Sequence, residues 1–124
     1  MSNGTRVERL RAAVIGVAGI GRTHLQAYRA LSQSPRPPCT LAAVCDVNPA
    51  ALETARGEYD AARAYTDFRA LLDDDEIDVV SLCVPHFLHR SMALAVIAAG
   101  KHLLLEKPVG MSFGQSMELS LIHI

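Results

Sequence analysis

Three glycines lie close together near the start of the chain, directly after a short apolar run. They belong to the segment Gly16-Val17-Ala18-Gly19-Ile20-Gly21. Such a loop between a strand and a helix lets the backbone approach a ligand, and the helix N-terminus that follows offers free N–H groups to a phosphate. We therefore expect the loop to contact nucleotide phosphates, through Gly16, Ala18, Gly19, Ile20 and Gly21. The alternative is a tight strand-to-helix turn without a ligand.

Asp46 ends the second apolar run of the chain. A carboxylate at this place accepts hydrogen bonds from the adenosine ribose of a dinucleotide. It also repels a 2′-phosphate, so the sequence favours NAD over NADP. The alternative is that Asp46 is an ordinary surface residue at a strand end.

Two further groups of residues follow later predicted strands and should meet at the same sheet edge as the glycine loop. These groups comprise Val84, Pro85, His86, His89, Glu106 and Lys107. We expect Lys107 and the segment His86–His89, which is interpreted as a polar loop, to face the nicotinamide end of the cofactor. A lysine beside a positively charged ring has its charged form disfavoured, so Lys107 could exchange the hydroxyl proton during hydride transfer. The alternative is an exposed lysine at a strand end.

The two histidines do not predict a metal site. No cysteine or carboxylate joins His86 and His89 at ligand spacing. The acidic run Asp73–Glu76 has no evident partner ligands and is interpreted as a solvated turn. His24 is expected either near the cofactor or as a structural histidine with its hydrogen bonds satisfied.

Apolar runs that predict strands alternate with patterns that predict helices. The predicted strands are Ala12–Val17, Thr40–Cys45, Ala62–Tyr65, Ile77–Val84 and His102–Leu105. The predicted helices are Ile20–Leu31, one from Pro49 towards Gly57 with Asn48 as N-cap, a short one after Asp67, Ser91–Ala99, and one from Ser112. The alternation predicts an α/β fold, a doubly wound parallel Rossmann sheet with its fifth strand at an edge.

The composition limits the possible partners. The chain has 124 residues, 50% of them hydrophobic, and a formal net charge of −1. These values fit one globular domain and give no reason to expect a nucleic acid or an anionic membrane as partner. No apolar run is long enough to span a bilayer. The three cysteines, an odd number, do not form a disulfide framework and indicate a reducing, cytoplasmic location.

The chain resembles the N-terminal domain of the glucose–fructose oxidoreductase / inositol 2-dehydrogenase family (Gfo/Idh/MocA). The resemblance rests on three segments: 13–24 around the glycine loop, Val44-Cys45-Asp46, and 99–108, which ends in Glu106-Lys107-Pro108. It implies an NAD(P)-dependent oxidoreductase of sugars, cyclitols or related compounds, with Glu106 and Lys107 near the cofactor and Lys107 as the catalytic lysine. Ala18 and His86 depart from the family's usual residues.

The resemblance also implies a second α/β domain, absent here, that forms the substrate pocket and dimer face of a homo-oligomer. We expect a frayed segment at 1–10 and a dinucleotide-binding domain at 11–118. The tail 119–124, Leu-Ser-Leu-Ile-His-Ile, resembles a translated sequencing adaptor; a genuine helix start is the alternative. Without that second domain, we expect the chain not to be catalytically competent. Alternatives are an aldehyde, imine or biliverdin-type reductase, and a non-catalytic nucleotide-binding or redox-sensing module.

Overall fold

The computed structural model describes residues 9–105. The predictions for Glu106, Lys107, the helix from Ser112 and the tail 119–124 therefore lie outside the described residues.

The described residues form a five-stranded sheet with four helices. The strands are β1 (Leu10–Ile15), β2 (Cys39–Cys45), β3 (Arg63–Tyr65), β4 (Val79–Leu82) and β5 (His102–Leu105). The helices are α1 (Ile20–Ser32), α2 (Pro49–Tyr59), α3 (Phe68–Leu72) and α4 (His86–Ala98). All four strand pairs are parallel and the order is β3-β2-β1-β4-β5. The predicted doubly wound fold is confirmed, with β5 at an edge of the described sheet. No helix in residues 9–105 is both long and apolar enough to cross a membrane.

The central strand β1 is buried on both faces because helices cover both sides of the sheet. Ala12 and Val14 pack in a cluster with residues of α1 and α2. Ala13 and Ile15 pack in a second cluster with residues of α3 and α4. Successive side chains of a strand point to opposite faces, so a strand between two helix layers is apolar without interruption. This explains the continuous apolar run that precedes the glycine loop.

Two helix starts have the side-chain caps that the sequence predicts. The Asn48 side chain accepts hydrogen bonds from the N–H groups of Ala50 and Ala51, at 3.0 and 3.2 Å, and Pro49 is the first residue of α2. Asp67 accepts one from the N–H of Arg69 at 2.9 Å. Each cap satisfies N–H groups that have no partner within the helix.

The start of α4 differs from the prediction. The helix begins at His86 and not at Ser91, and β4 ends at Leu82 and not at Val84. The polar loop predicted for His86 and His89 is therefore wrong. Pro85 immediately precedes the helix, where a fixed φ suits the helix and a missing N–H costs nothing.

The turn predicted for Asp73–Glu76 is present, but Asp74 is not merely solvated. Its side chain is 11% exposed, and its Oδ2 lies 2.7 Å from Nε of Arg63. The hydroxyl of Tyr65 donates to the same oxygen at 2.8 Å. These contacts tie the turn to β3, and they depend on tertiary packing that a run of acidic residues does not reveal.

Candidate functional site

A cleft of about 660 Å³ lies at the carboxyl ends of β1, β2 and β4. In open parallel sheets, ligands bind outside the carboxyl ends of the strands, where the chain direction of the crossovers reverses. The predicted site residues in its wall are Gly16, Ala18, Asp46, Val84 and Pro85.

Other predicted site residues lie outside this wall. Gly19, Ile20 and Gly21 form the turn into α1, and Ile20 is 45% exposed. His89 is 3% exposed, and its Nε2 lies 2.7 Å from the carbonyl oxygen of Val84. A carbonyl only accepts, so Nε2 carries the proton and donates. His89 thus holds the backbone of Val84, a residue of the cleft wall, but does not line the cleft itself.

Sequence reasoning missed one wall of the cleft. Residues 66–69, which lead into α3 and form its first turn, line the cleft together with the glycine loop. Val47, 87% exposed, lies at the rim, and α4 contributes Leu88 and Met92. Asp67 could have predicted this wall, because a helix-capping residue directly after a strand lies at the carboxyl edge of a parallel sheet.

Gly16 and Gly21 allow two close backbone approaches. Gly16 has φ of +90°, and a Cβ there would overlap the carbonyl oxygen of Cys83 at the end of β4. A Cβ on Gly21 would overlap the carbonyl oxygen of Gly16. Gly16 therefore allows a tight turn at the end of β1, and Gly21 allows α1 to pack closely against that turn.

The turn leaves a face of the backbone open beside the helix start. Gly19 has φ 57° and ψ −122°, and no atom lies within 4 Å of where its Cβ would be. No side chain caps α1, and its first turn contains no acidic residue. Among residues 9–105, no acceptor contacts the N–H groups of Ala18, Gly19 and Ile20. Unpaired N–H groups at the positive end of a helix dipole fit the pyrophosphate of a dinucleotide.

Asp46 lies between the glycine loop and the start of α2. Its Oδ2 accepts from the N–H of Val17 at 3.0 Å, and its Oδ1 accepts from the N–H of Asn48 at 2.9 Å. The side chain is half-buried and lines the cleft. A carboxylate oxygen can accept more than one hydrogen bond, so both oxygens retain capacity for ligand hydroxyls.

Two other ionisable groups in the cleft have shifted pKa values. Burial, with smaller contributions from Asp46 and Asp67, raises the pKa of the Cys45 thiol to about 12. The backbone N–H of Arg69 lowers the pKa of Asp67, so this carboxylate is charged at neutral pH. Arg69 lies close to Asp67, with Nε 3.4 Å from Oδ1. No group of three or more metal-binding side chains converges within residues 9–105.

His24 lies in α1 and is not among the residues of the cleft wall. It is 8% exposed, at the second turn of the helix. Burial fits the structural alternative better than direct exposure to a ligand.

Comparisons with known proteins agree with this geometry. Residues 10–122 match the family described as "Oxidoreductase family, NAD-binding Rossmann fold". The chain is 31% identical over 106 residues to levoglucosan dehydrogenase from Pseudarthrobacter phenanthrenivorans, which covers 83% of this chain and 27% of that protein. It is 35% identical over 101 residues to inositol 2-dehydrogenase from Paracoccus denitrificans, covering 81% and 29%.

A solved structure, an NAD binding oxidoreductase from Klebsiella pneumoniae, superposes with a TM-score of 0.79 at 36% identity. The match covers 92% of this chain and 31% of that one. The chain thus spans about a third of the length of the proteins it matches. The resemblance to Gfo/Idh/MocA proteins and the expectation of an NAD-type cofactor are confirmed at the level of the family. The chain belongs to the oxidoreductase family with an NAD-binding Rossmann fold.

Proposed function

We propose that the cleft binds the NAD dinucleotide, and that the whole protein oxidises or reduces a hydroxyl-bearing carbon of a sugar, a cyclitol or a related compound. One observation carries the proposal: the unpaired N–H groups at the start of α1 adjoin a cleft whose wall contains Ala18 and the half-exposed strand-end carboxylate of Asp46. Two relatives support the substrate class, because they are named as dehydrogenases of levoglucosan and of inositol.

The glycine loop and Asp46 would hold the adenosine half of the cofactor. The N–H groups of Ala18, Gly19 and Ile20 would donate to the pyrophosphate, while Gly16 and Gly21 keep the loop tight. Asp46 would accept from the ribose hydroxyls and disfavour a 2′-phosphate, so NAD is preferred to NADP. Val84 and Pro85 would form the cleft wall towards the nicotinamide, with His86, His89 and Glu106 near it.

The chemical step would need a group that exchanges the proton of the substrate hydroxyl. NAD, when bound, supplies the hydride acceptor. Lys107 would take up the hydroxyl proton during oxidation and return it during reduction. Its placement beside the nicotinamide is a proposal that rests on the family resemblance and on its position after β5.

Thermal unfolding of the chain with each cofactor tests the binding site. A ligand that binds only the folded state stabilises it by about 2.7 kcal/mol at a hundred times its Kd. We expect NAD to raise the Tm more than NADP at equal concentration, and adenosine, which lacks the pyrophosphate, to raise it least. A larger shift with NADP would contradict the role given to Asp46. No shift with either dinucleotide would contradict the site itself.

We also propose a cellular location and an oligomeric state for the protein. Cys39, Cys45 and Cys83 are buried and do not pair in disulfides within residues 9–105, which supports a reducing cytoplasmic location. The family resemblance supports a homo-oligomer for the whole protein.

A further inference from the structure

Asp46 continues the contact between β1 and β2 beyond the last residue of each strand. The N–H of Gly16 still donates to the backbone carbonyl of Cys45, at 2.8 Å. At the next residue the partner changes, because the N–H of Val17 donates to the Asp46 carboxylate and not to a backbone carbonyl. The φ of +90° at Gly16 turns the loop away from the strand direction, and the side chain supplies the acceptor there.

The second carboxylate oxygen contacts a different element. Oδ1 accepts from the N–H of Asn48, whose own side chain caps α2. The backbone N–H of Asp46 donates to the carbonyl of Tyr65, at 3.2 Å. One residue therefore connects the glycine loop, the start of α2 and the end of β3.

We propose that Asp46 is a positioning residue for the phosphate-binding loop, in addition to any contact with the ribose. This inference rests on the proposed function, since it concerns how the same cleft holds the dinucleotide. Hydrogen bonds from backbone N–H groups to a carboxylate are stronger than those between neutral groups. The first turn of the loop must present the N–H groups of Ala18, Gly19 and Ile20 together. Without the hydrogen bond from Val17 to Asp46, this turn loses one of its fixed contacts.

The consequence differs from that of a residue that only recognises the ribose. A pure recognition residue affects only ligands that carry the ribose hydroxyls. A positioning residue affects every ligand whose pyrophosphate lies on the loop. A substitution of Asp46 that removes the repulsion of the 2′-phosphate would then weaken the binding of both NAD and NADP.

The test compares NAD with an analogue whose adenosine ribose lacks both hydroxyls, by calorimetry on the purified chain. We expect D46A to weaken the analogue roughly ten-fold, as the loss of a hydrogen bond to a charged group predicts. D46N keeps one acceptor oxygen and should fall between D46A and the unsubstituted chain. If D46A weakens NAD alone and leaves the analogue unchanged, the positioning role is overturned.

A readout without ligand separates this inference from the proposed function. We expect the Val17 amide to exchange with deuterium at least ten-fold faster in D46A, or in D46N should D46A not fold. D67A is the matched control, because it removes the other cleft carboxylate without touching the loop, and Val17 exchange should stay unchanged. Unchanged Val17 exchange in the Asp46 variants would overturn the inference. Absence of NAD binding by the unsubstituted chain would instead contradict the proposed function, and the exchange result would still decide the loop contact.

Discussion

At Gly16 the backbone has φ of +90°, and the space for a Cβ atom is filled by the carbonyl oxygen of Cys83. Alanine would add strain from the positive φ and an overlap with the end of β4. Each of these costs about 1–3 kcal/mol. We expect G16A to lower the free energy of unfolding by about 2–6 kcal/mol in urea titrations followed by circular dichroism.

Gly57 is the matched control. It lies inside α2, and no atom lies within 4 Å of its Cβ position. We expect G57A to raise the free energy of unfolding by about 0.5–1 kcal/mol, because alanine favours the helix. Equal effects of the two substitutions would show that backbone geometry at Gly16 does not matter for stability.

Sequence reasoning reached the glycine loop but not the contacts of Asp46. The loop is a local pattern, because Gly16 and Gly21 are close together in the sequence and their spacing predicts the tight turn between strand and helix. The hydrogen bond between Asp46 and Val17 depends on how β1 and β2 align, over residues that are distant in sequence. A ribose contact was predicted for Asp46 from its position, and a contact with the loop was not.

At the scale of elements, an ion pair joins β1 to the residue before β4. Arg11 donates from its backbone N–H and from Nε to Oδ2 of Asp78, at 2.8 and 3.0 Å, and from a second guanidinium nitrogen to Oδ1 at 3.1 Å. The Arg11 side chain lowers the pKa of Asp78. A lowered folded-state pKa stabilises the fold above the unfolded pKa, and this stabilisation is lost as pH falls through the folded value.

We therefore expect D78N to lower the free energy of unfolding by about 1–2 kcal/mol at pH 7. The difference from the unsubstituted chain should shrink as pH falls below the usual range of an aspartate. Urea titrations between pH 7 and pH 3 measure both effects. D75N, at an exposed position in the neighbouring turn, is the control and should have little effect at any pH. A D78N difference that stays constant down to pH 3 would contradict the ion-pair account.

Elements with strong local signals were predicted well, and those defined by packing were not. Asn48 and Pro49 predict the start of α2, and the run His102–Leu105 predicts β5 with the bounds observed. The start of α4 was missed because His86 and His89 are polar. Leu88, which packs against the core cluster, is the apolar residue of this helical segment that contacts the core.

At the scale of the whole protein, Lys107 is the residue on which the proposed chemistry depends. In the full-length enzyme we expect K107A to lower kcat by roughly 10²–10⁴-fold, the usual contribution of a positioned acid or base. The Kd for NAD should change by only a few-fold. Steady-state kinetics and calorimetry measure the two quantities.

Lys101 is the control lysine. It is buried, and its Nζ donates to the backbone carbonyls of Asp74 and Ile77, at 2.7 and 2.9 Å. K101M leaves those carbonyls without their donor, so we expect a lower Tm but a kcat per folded molecule near that of the unsubstituted enzyme. Near-normal turnover of K107A would contradict the role of Lys107.

The topology of the whole sheet could be predicted because strands and helices alternate along the chain. The cleft wall at Thr66–Arg69 could not, since it forms only when β3 lies beside β2 and brings the start of α3 to the same edge. The substrate class could be proposed only from resemblance, because no cleft residue within positions 9–105 identifies a sugar.

The raised pKa of Cys45 has a consequence for chemical durability. With its pKa raised to about 12, the thiol is almost entirely protonated at pH 7. Peroxides and electrophiles react with the thiolate and not with the thiol. The sulfur at the end of β2 therefore reacts slowly with oxidants, and this wall of the cleft resists oxidative damage without a protecting group.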